Sequence, residues 1–140
     1  MKLLIAKDDE GVRSVESIAQ DAGIQPADIT VARTAEAALD ALAVAVPDMA
    51  IVDPHLTERM DLEDGIALIG AITQRNHECI VICLTGSGSI TLGCRAIQRG
   101  ARDYIDCDLP HVNWCSYLRQ KVELWRGVLR AERDEGNTVQ

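Results

Sequence analysis

The stretch "MAIVD", residues 49–53, holds four apolar residues in a row and ends in an acid. A short, nearly continuous apolar run is typical of a strand that is buried on both faces of a parallel sheet. We therefore predict a strand here, with Asp53 at its carboxyl end. Four other runs have the same character: "KLLIA" (2–6), "ITVAR" (29–33), "CIVICLT" (79–85) and "DYIDC" (103–107).

Segments with helical periodicity separate these runs and follow the last one. Their apolar stripes include Val12, Val15, Ile18 and Ala19 in the first segment and Ala38, Leu39, Leu42 and Val46 in the second. Thr34 is the expected N-cap of the second helix, and Gly100 is expected to end the fourth. The predicted helices cover residues 12–23, 35–46, 66–75, 90–100 and 111–133.

Strands and helices thus alternate five times along the chain. This pattern favours an α/β domain whose parallel sheet is covered by helices on both faces. With right-handed crossovers, we predict a single doubly wound (βα)5 domain with the flavodoxin-like strand order 2-1-3-4-5. We expect the domain to occupy residues 1–131 and residues 132–140 to form a disordered tail.

Composition excludes several classes of function. The 140 residues are 47% hydrophobic and carry a net charge of −8, which disfavours direct binding to nucleic acid. No apolar run approaches the ~20 residues that cross a bilayer, and the start is too short for a secretory signal. The five cysteines contain no C-x-x-C pair, which indicates a reduced setting. We expect a cytoplasmic protein with no membrane contact.

Polar residues stand where the first, third and fourth predicted strands end. Asp8 and Asp9 follow the first strand, Asp53 ends the third and Thr85 ends the fourth. Ligands of α/β sheets bind beyond the carboxyl ends of the strands. Converging carboxylates need a counterion, and Mg²⁺ suits a small site of oxygen ligands. Asp53 could then form an aspartyl phosphate. The alternative, that each acid caps the following helix, explains a single acid better than the set.

These segments together resemble the receiver domain of two-component response regulators. The resemblance covers residues 2 to about 125 and rests on "LLIAKDDE", "DMAIVDPHL", "DGIALI", "ICLTGSGS" and "AIQRGARDYI" in this order. It implies that Asp53 is the phosphoacceptor. It also implies a site for Mg²⁺ (or Mn²⁺) formed by Asp8, Asp9, Asp53 and the backbone carbonyl of His55, with Asp8 acting mainly through water.

The same resemblance assigns roles around the fourth strand. Thr85 would be the switch hydroxyl and Tyr104 the switch aromatic. Gly86 and Ser87 would be small residues beside the phosphate pocket, in place of a nucleotide cradle. A Rossmann glycine loop should follow the first strand, where this chain has "KDDE".

The sequence departs from the family at the end of the fifth strand. The family carries a lysine three residues after the switch aromatic, and this chain has Cys107 there. That lysine would pair with the acceptor carboxylate and later with the phosphoryl group. A neutral thiol cannot replace it, and Asp106 and Asp108 should keep the thiol protonated, which disfavours redox sensing. Lys7 and Arg59 are other candidate cations, with a solvated surface charge as the alternative for both.

Two further features leave alternatives open. The loop after Asp53 is about four residues longer than the usual receiver pattern. Residues 57–63 could shield the site, recruit a partner or form a tolerated insertion. Trp125 and Leu129 either pack within the domain, pair two chains as a homodimer or lead into an output domain.

Two functions remain. The first is a receiver module, not an enzyme, that accepts a phosphoryl group from a histidine kinase or phosphotransfer protein. It would switch a face made of the fourth helix, fifth strand and fifth helix toward a downstream partner or output domain. The second is a receiver-like adaptor that signals by protein binding alone. A dehalogenase-type phosphatase is disfavoured because Pro54 and His55, not x-Asp, follow Asp53.

Overall fold

The computed structural model describes residues 1–8, 11–56, 63–86 and 88–138. The strands are β1 (Leu3–Ala6), β2 (Ile29–Ala32), β3 (Met49–Val52), β4 (Ile80–Thr85) and β5 (Asp103–Asp106). The helices are α1 (Gly11–Asp21), α2 (Ala35–Val44), α3 (Asp64–Arg75), α4 (Ile90–Arg99) and α5 (Trp114–Thr138), with a short 3₁₀ helix at Pro26–Asp28.

The five strands form one parallel sheet in the order β2-β1-β3-β4-β5. The predicted α/β class and the predicted strand order are therefore confirmed. In the register between β1 and β3, Leu3 lies beside Met49 and Ala6 lies beside Val52. This register places the residues that follow the two strands next to each other.

Side chains alternate between the two faces of the sheet, and each face has its own core. Ile5 and Ile51 belong to a cluster with Val15 of α1 and Leu118 of α5. The opposite cluster joins the other set of strand residues to α2, α3 and α4, and it includes Leu4, Val52, Leu42, Ile69 and Leu92. Because both faces are covered, the strands are apolar on both sides, as their continuous apolar runs predict.

The predicted helix signals have the expected geometry. The Thr34 hydroxyl accepts a hydrogen bond from the Ala37 N–H at 3.0 Å, which satisfies one of the free amide groups of the first turn. Ser89 caps α4 in the same way through Leu92. Gly100 ends α4 with a left-handed backbone at φ 117°, a conformation that glycine adopts without steric cost.

The second helix is shorter and less buried than predicted. It ends at Val44, and only Ala38 and Leu42 of the predicted stripe are buried, whereas Leu39 is 47% exposed and Val46 38% exposed. α2 packs over β1 and β2 at the edge of the sheet, where only a narrow face of the helix is covered.

The last helix is longer than predicted. α5 runs through Thr138. The predicted disordered tail at residues 132–140 is therefore helical over residues 132–138. A helix that is already nucleated gains one hydrogen bond for each residue added, so the helix predicted to end at residue 133 can continue beyond it. Within the described ranges, no helix is both long and apolar enough to cross a membrane.

Trp125 and Leu129 pack within the domain. Both contact the core cluster shared by α1 and α5. The Trp125 indole N–H donates a hydrogen bond to Asp103 Oδ2 at 2.7 Å, which fastens α5 to the start of β5. Of the alternatives for these residues, the structure shows the intradomain one.

Candidate functional site

Asp53 lies at the carboxyl edge of the sheet, one residue beyond β3. Its backbone N–H donates to the Ala6 carbonyl at 2.8 Å, so the ladder between β3 and β1 continues to this residue. The residue is 8% exposed. Carboxylate oxygen Oδ1 accepts a hydrogen bond from the His55 N–H at 2.9 Å. The predicted phosphoacceptor is thus a largely buried carboxylate held by the loop that follows it.

The second carboxylate oxygen of Asp53 contacts a buried ammonium. Lys7 Nζ donates to Asp53 Oδ2 at 3.1 Å, and Lys7 is 5% exposed. The sheet register explains this pair, since Lys7 and Asp53 directly follow the paired residues Ala6 and Val52. Their side chains continue the alternation of Ile5 and Ile51 and leave the sheet on the same face. The interpretation of Lys7 as a solvated surface charge is therefore wrong.

The donor chemistry of this edge fits a hard cation. A carboxylate offers about four acceptor positions, and the contacts from Lys7 and His55 use two of those on Asp53. Asp8 follows Lys7 in the chain and is exposed, and the His55 carbonyl would add a further oxygen. Oxygen ligands of this kind are what Mg²⁺ takes. Asp9 lies outside the described residues.

Oxygen donors that suit Mg²⁺ do not by themselves show that side chains are grouped around a position for the metal ion. Across residues 1–8, 11–56, 63–86 and 88–138, no three histidine, cysteine, aspartate or glutamate side chains are grouped so that they could hold a metal ion. The assignment of Asp8, Asp9, Asp53 and His55 as metal ligands therefore stays a prediction.

The beginning of α3 holds the loop after β3 in place. The Gly65 N–H donates to the Pro54 carbonyl at 3.0 Å, and the Asp64 carboxylate accepts from the Leu56 N–H at 2.8 Å. A Cβ atom on Gly65 would overlap the backbone of Asp53 and Pro54. Only glycine allows this close approach, so Gly65 helps to fix the backbone of Asp53. The motif "DGIALI" contained this signal, but the sequence alone did not reveal what the glycine contacts.

The predicted switch residues lie on neighbouring strands, Thr85 on β4 and Tyr104 on β5. Thr85 ends β4, the strand next to β3, and is 1% exposed. The Tyr104 hydroxyl accepts a hydrogen bond from the Ser89 N–H at 3.1 Å, and its half-buried ring packs on Gly93 of α4. Burial is the main cause that raises the pKa of Tyr104. Tyr104 therefore connects β5 to the first turn of α4.

The small residues after β4 differ in how tightly they are packed. A Cβ atom on Gly88 would overlap the Tyr104 hydroxyl and the Asp106 carboxylate, so a larger residue there would require these side-chain ends to move. Gly86 is exposed, and a Cβ atom on it would meet no atom within 4 Å. Packing thus does not require glycine at residue 86. Ser87 lies outside the described residues.

Cys107, the residue predicted to replace the family's lysine, directly follows β5 and is half-buried. Burial raises the pKa of this thiol to about 11, while the positive charge of Lys7 acts in the opposite direction. A raised pKa agrees with the predicted protonated thiol, and burial rather than the neighbouring acids is its main cause. The influence of Lys7 also shows that its ammonium lies within electrostatic reach of residue 107.

An ion pair joins α4 to the segment before α3. Arg95 Nη1 donates to both carboxylate oxygens of Glu63 at 2.5 and 2.6 Å. Both side chains are partly exposed, at 51% and 31%, so the pair fixes geometry more than it stabilises the fold. Arg59 and the rest of the predicted insertion, residues 57–62, lie outside the described residues.

A family model described as the response regulator receiver domain matches residues 3–113. The chain therefore belongs to the response regulator receiver domain family, whose members are signalling domains and generally not enzymes. A comparison with curated proteins finds no match.

Solved structures share the fold. The receiver domain of NtrX from Brucella abortus is 28% identical with a TM-score of 0.65, and the match covers 94% of this chain and 96% of that domain. A response regulator from Thermotoga maritima is 19% identical with a TM-score of 0.69, with 89% and 95% covered. A longer NtrX structure from Brucella abortus is 26% identical with a TM-score of 0.71, and the match covers 95% of this chain but only 29% of that one.

Proposed function

We propose that this chain is a phosphoacceptor module that receives a phosphoryl group on Asp53 and passes the signal to another protein. The observation that carries this proposal is the Asp53 carboxylate itself, which is 8% exposed and is oriented by Lys7 and by the His55 N–H. A carboxylate held in this way at the ligand-binding edge of a doubly wound sheet is suited to act as a nucleophile.

The proposed step is a phosphoryl transfer from a phosphohistidine of a histidine kinase or phosphotransfer protein. An oxygen of Asp53 forms a bond to phosphorus, the P–N bond breaks, and its electron pair remains on the imidazole of the donor. The product is an acyl phosphate on Asp53. Mg²⁺, held by Asp8, Asp9, Asp53 and the His55 carbonyl, would neutralise charge on the phosphoryl oxygens.

The signal would leave through the face made of α4, β5 and α5. The Thr85 hydroxyl would donate a hydrogen bond to a phosphoryl oxygen. The first turn of α4 would then move together with the end of β4. Tyr104 would transmit this movement, since its hydroxyl contacts the Ser89 N–H at the N-cap of α4. The partner is a downstream protein, an output domain or a second copy of the chain.

The proposed setting is the cytoplasm, without direct contact to nucleic acid or membrane. All five cysteines are free, as expected in a reducing compartment. The net charge of −8 opposes binding to a phosphate backbone. We assign no reaction on other substrates, only gain and loss of the phosphoryl group on Asp53.

Incubation of the folded chain with acetyl phosphate and Mg²⁺ tests this function, with intact-protein mass spectrometry as the readout. We expect a phosphorylated species that is absent in Asp53→Asn, in the absence of acetyl phosphate and after addition of a chelator. Failure of the folded wild-type chain to gain a phosphoryl group would contradict the proposal.

One observation favours the second candidate, a phosphorylation-independent adaptor. The Lys7 ammonium already satisfies Asp53 Oδ2 in the absence of a phosphoryl group, and residue 107 is a neutral thiol. An adaptor would bind its partner equally well with wild-type Asp53 and with Asp53→Asn. A receiver module that depends on phosphorylation would bind its partner differently before and after treatment with acetyl phosphate and Mg²⁺. Asp53→Asn would abolish that difference in binding.

A further inference from the structure

The region around Asp53 has a cation on one side and a neutral group on the other. Lys7, at the end of β1, contacts the carboxylate at 3.1 Å. Cys107, at the end of β5, is a thiol with a pKa of about 11. An acyl phosphate on Asp53 would carry more negative charge than the carboxylate, so phosphorylation increases the need for a nearby cation.

The sheet directs all three side chains to the same face. Lys7 and Asp53 continue the alternation of Ile5 and Ile51, which face α1 and α5. Cys107 follows Ile105 by two residues and packs against the same cluster. A lysine at residue 107 would therefore reach toward Asp53 from one side of β3, and Lys7 reaches it from the other.

Burial strengthens the contact that Lys7 makes. The side chains of Lys7 and Asp53 are 6% and 11% exposed, so little water screens the pair. An ammonium has three N–H donors, which allows it to keep one contact to Asp53 and give another to an added phosphoryl oxygen.

We propose that Lys7 is the cation of the phosphorylation site, supplied from β1 in place of a lysine at residue 107. Lys7 contacts the reacting carboxylate directly before transfer and donates to a phosphoryl oxygen afterwards. This inference rests on the proposed function, because it names the residue that balances the charge of the acyl phosphate.

The test compares rates of phosphorylation by acetyl phosphate in three variants and the wild type. Lys7→Met keeps the length of the side chain and removes the charge. The double variant Lys7→Met/Cys107→Lys returns the charge from β5. Lys2→Met is the matched control, because Lys2 lies beside the opposite end of β1 and pairs with Asp28 instead.

Loss of a charge-assisted contact predicts that Lys7→Met is slower by about tenfold or more. The double variant should recover to within about threefold of the wild type, since the same charge reaches the same carboxylate. Lys2→Met should stay within about twofold of the wild type because its pair is exposed. Rescue from a different strand distinguishes charge at the site from a merely structural role of Lys7, provided that rates are normalised to folded protein by circular dichroism.

The outcomes separate this inference from the proposed function. If Lys7→Met is phosphorylated at the wild-type rate while Asp53→Asn is not, the role of Lys7 is wrong and the proposed function stands. If the wild type is not phosphorylated at all, the proposed function fails and the inference fails with it.

A second measurement on the wild type covers the case in which Lys7→Met does not fold. The side-chain NMR signals of Lys7 should shift when beryllofluoride and Mg²⁺ are added, whereas those of Lys2 should not. Unchanged Lys7 signals with bound beryllofluoride would overturn the inference.

Discussion

The chain has two lysine–aspartate pairs near opposite ends of β1, and they differ in burial rather than in chemistry. Lys2 Nζ lies 2.9 Å from Asp28 Oδ1, with side chains 62% and 28% exposed. Lys7 Nζ lies 3.1 Å from Asp53 Oδ2, with side chains 6% and 11% exposed. The shorter pair is partly exposed to solvent and the longer pair is buried, so distance alone does not rank them. Burial makes each partner of the second pair dependent on the other.

The largest expected effect comes from removing Lys7. Lys7→Met leaves the Asp53 carboxylate buried without its cation, which should lower the free energy of unfolding by about 3–5 kcal/mol. Urea denaturation followed by circular dichroism measures this change. Because Lys7→Met/Asp53→Asn removes both charges, the double variant should be more stable than Lys7→Met alone. Equal losses of unfolding free energy in Lys7→Met and Lys2→Met would show that burial does not distinguish the two pairs.

A smaller effect is expected from moving the backbone that carries the buried pair. In Gly65→Ala, the new methyl group must displace the backbone of Asp53 and Pro54, so we expect a loss of about 1–3 kcal/mol in the free energy of unfolding. The same variant should slow phosphorylation of Asp53, because the carboxylate moves with its backbone.

Gly127→Ala is the control for that substitution. Gly127 is exposed within α5, and a Cβ atom on it would meet no atom within 4 Å. Alanine favours the helix over glycine by about 1 kcal/mol, so this variant should be slightly more stable than the wild type. A Gly65→Ala variant as stable as Gly127→Ala would show that the contact between α3 and β3 is not rigid.

The two lysines also show how much the sequence could predict. Apolar runs such as "MAIVD" predict the strands and the position of Asp53, because a strand buried on both faces needs continuous apolar residues. Alternation within β1 places Lys7 on the face opposite Asp8. It does not say which residue of β3 lies beside Lys7, since register is a property of two strands. The structure supplies that register, and with it the pair to Asp53.

Other features of the site depended on the same kind of long-range information. The motif "DGIALI" contains Gly65, but its contact with Asp53 joins residues 12 positions apart in the chain through a loop that the sequence does not define. Helical periodicity places Trp125 on an apolar face of α5 without showing what covers that face. Its hydrogen bond to Asp103 reaches across from α5 to β5.

The smallest expected effect on stability is that of Lys2→Met, which removes the exposed pair with Asp28. This effect depends on pH because it requires the ionised Asp28 carboxylate. The hydrogen bond from Lys2 is the main cause that lowers the pKa of Asp28 in the folded chain. A lowered folded pKa means that the folded state favours the ionised carboxylate. The stabilisation is therefore present above the unfolded value, about 3.9 for aspartate, and is lost as the pH falls through the lower folded value. Lys2→Met should differ from the wild type in urea midpoint only slightly near neutral pH.

That small difference should disappear in acid and also in molar salt, because the pair is exposed and screened. Urea denaturation of both proteins over a pH series measures it. The loss caused by Lys7→Met should persist in molar salt, since little water or salt reaches the buried pair. If salt removed both effects equally, Lys7 and Asp53 would be accessible to solvent, and the contrast between the two ends of β1 would not hold.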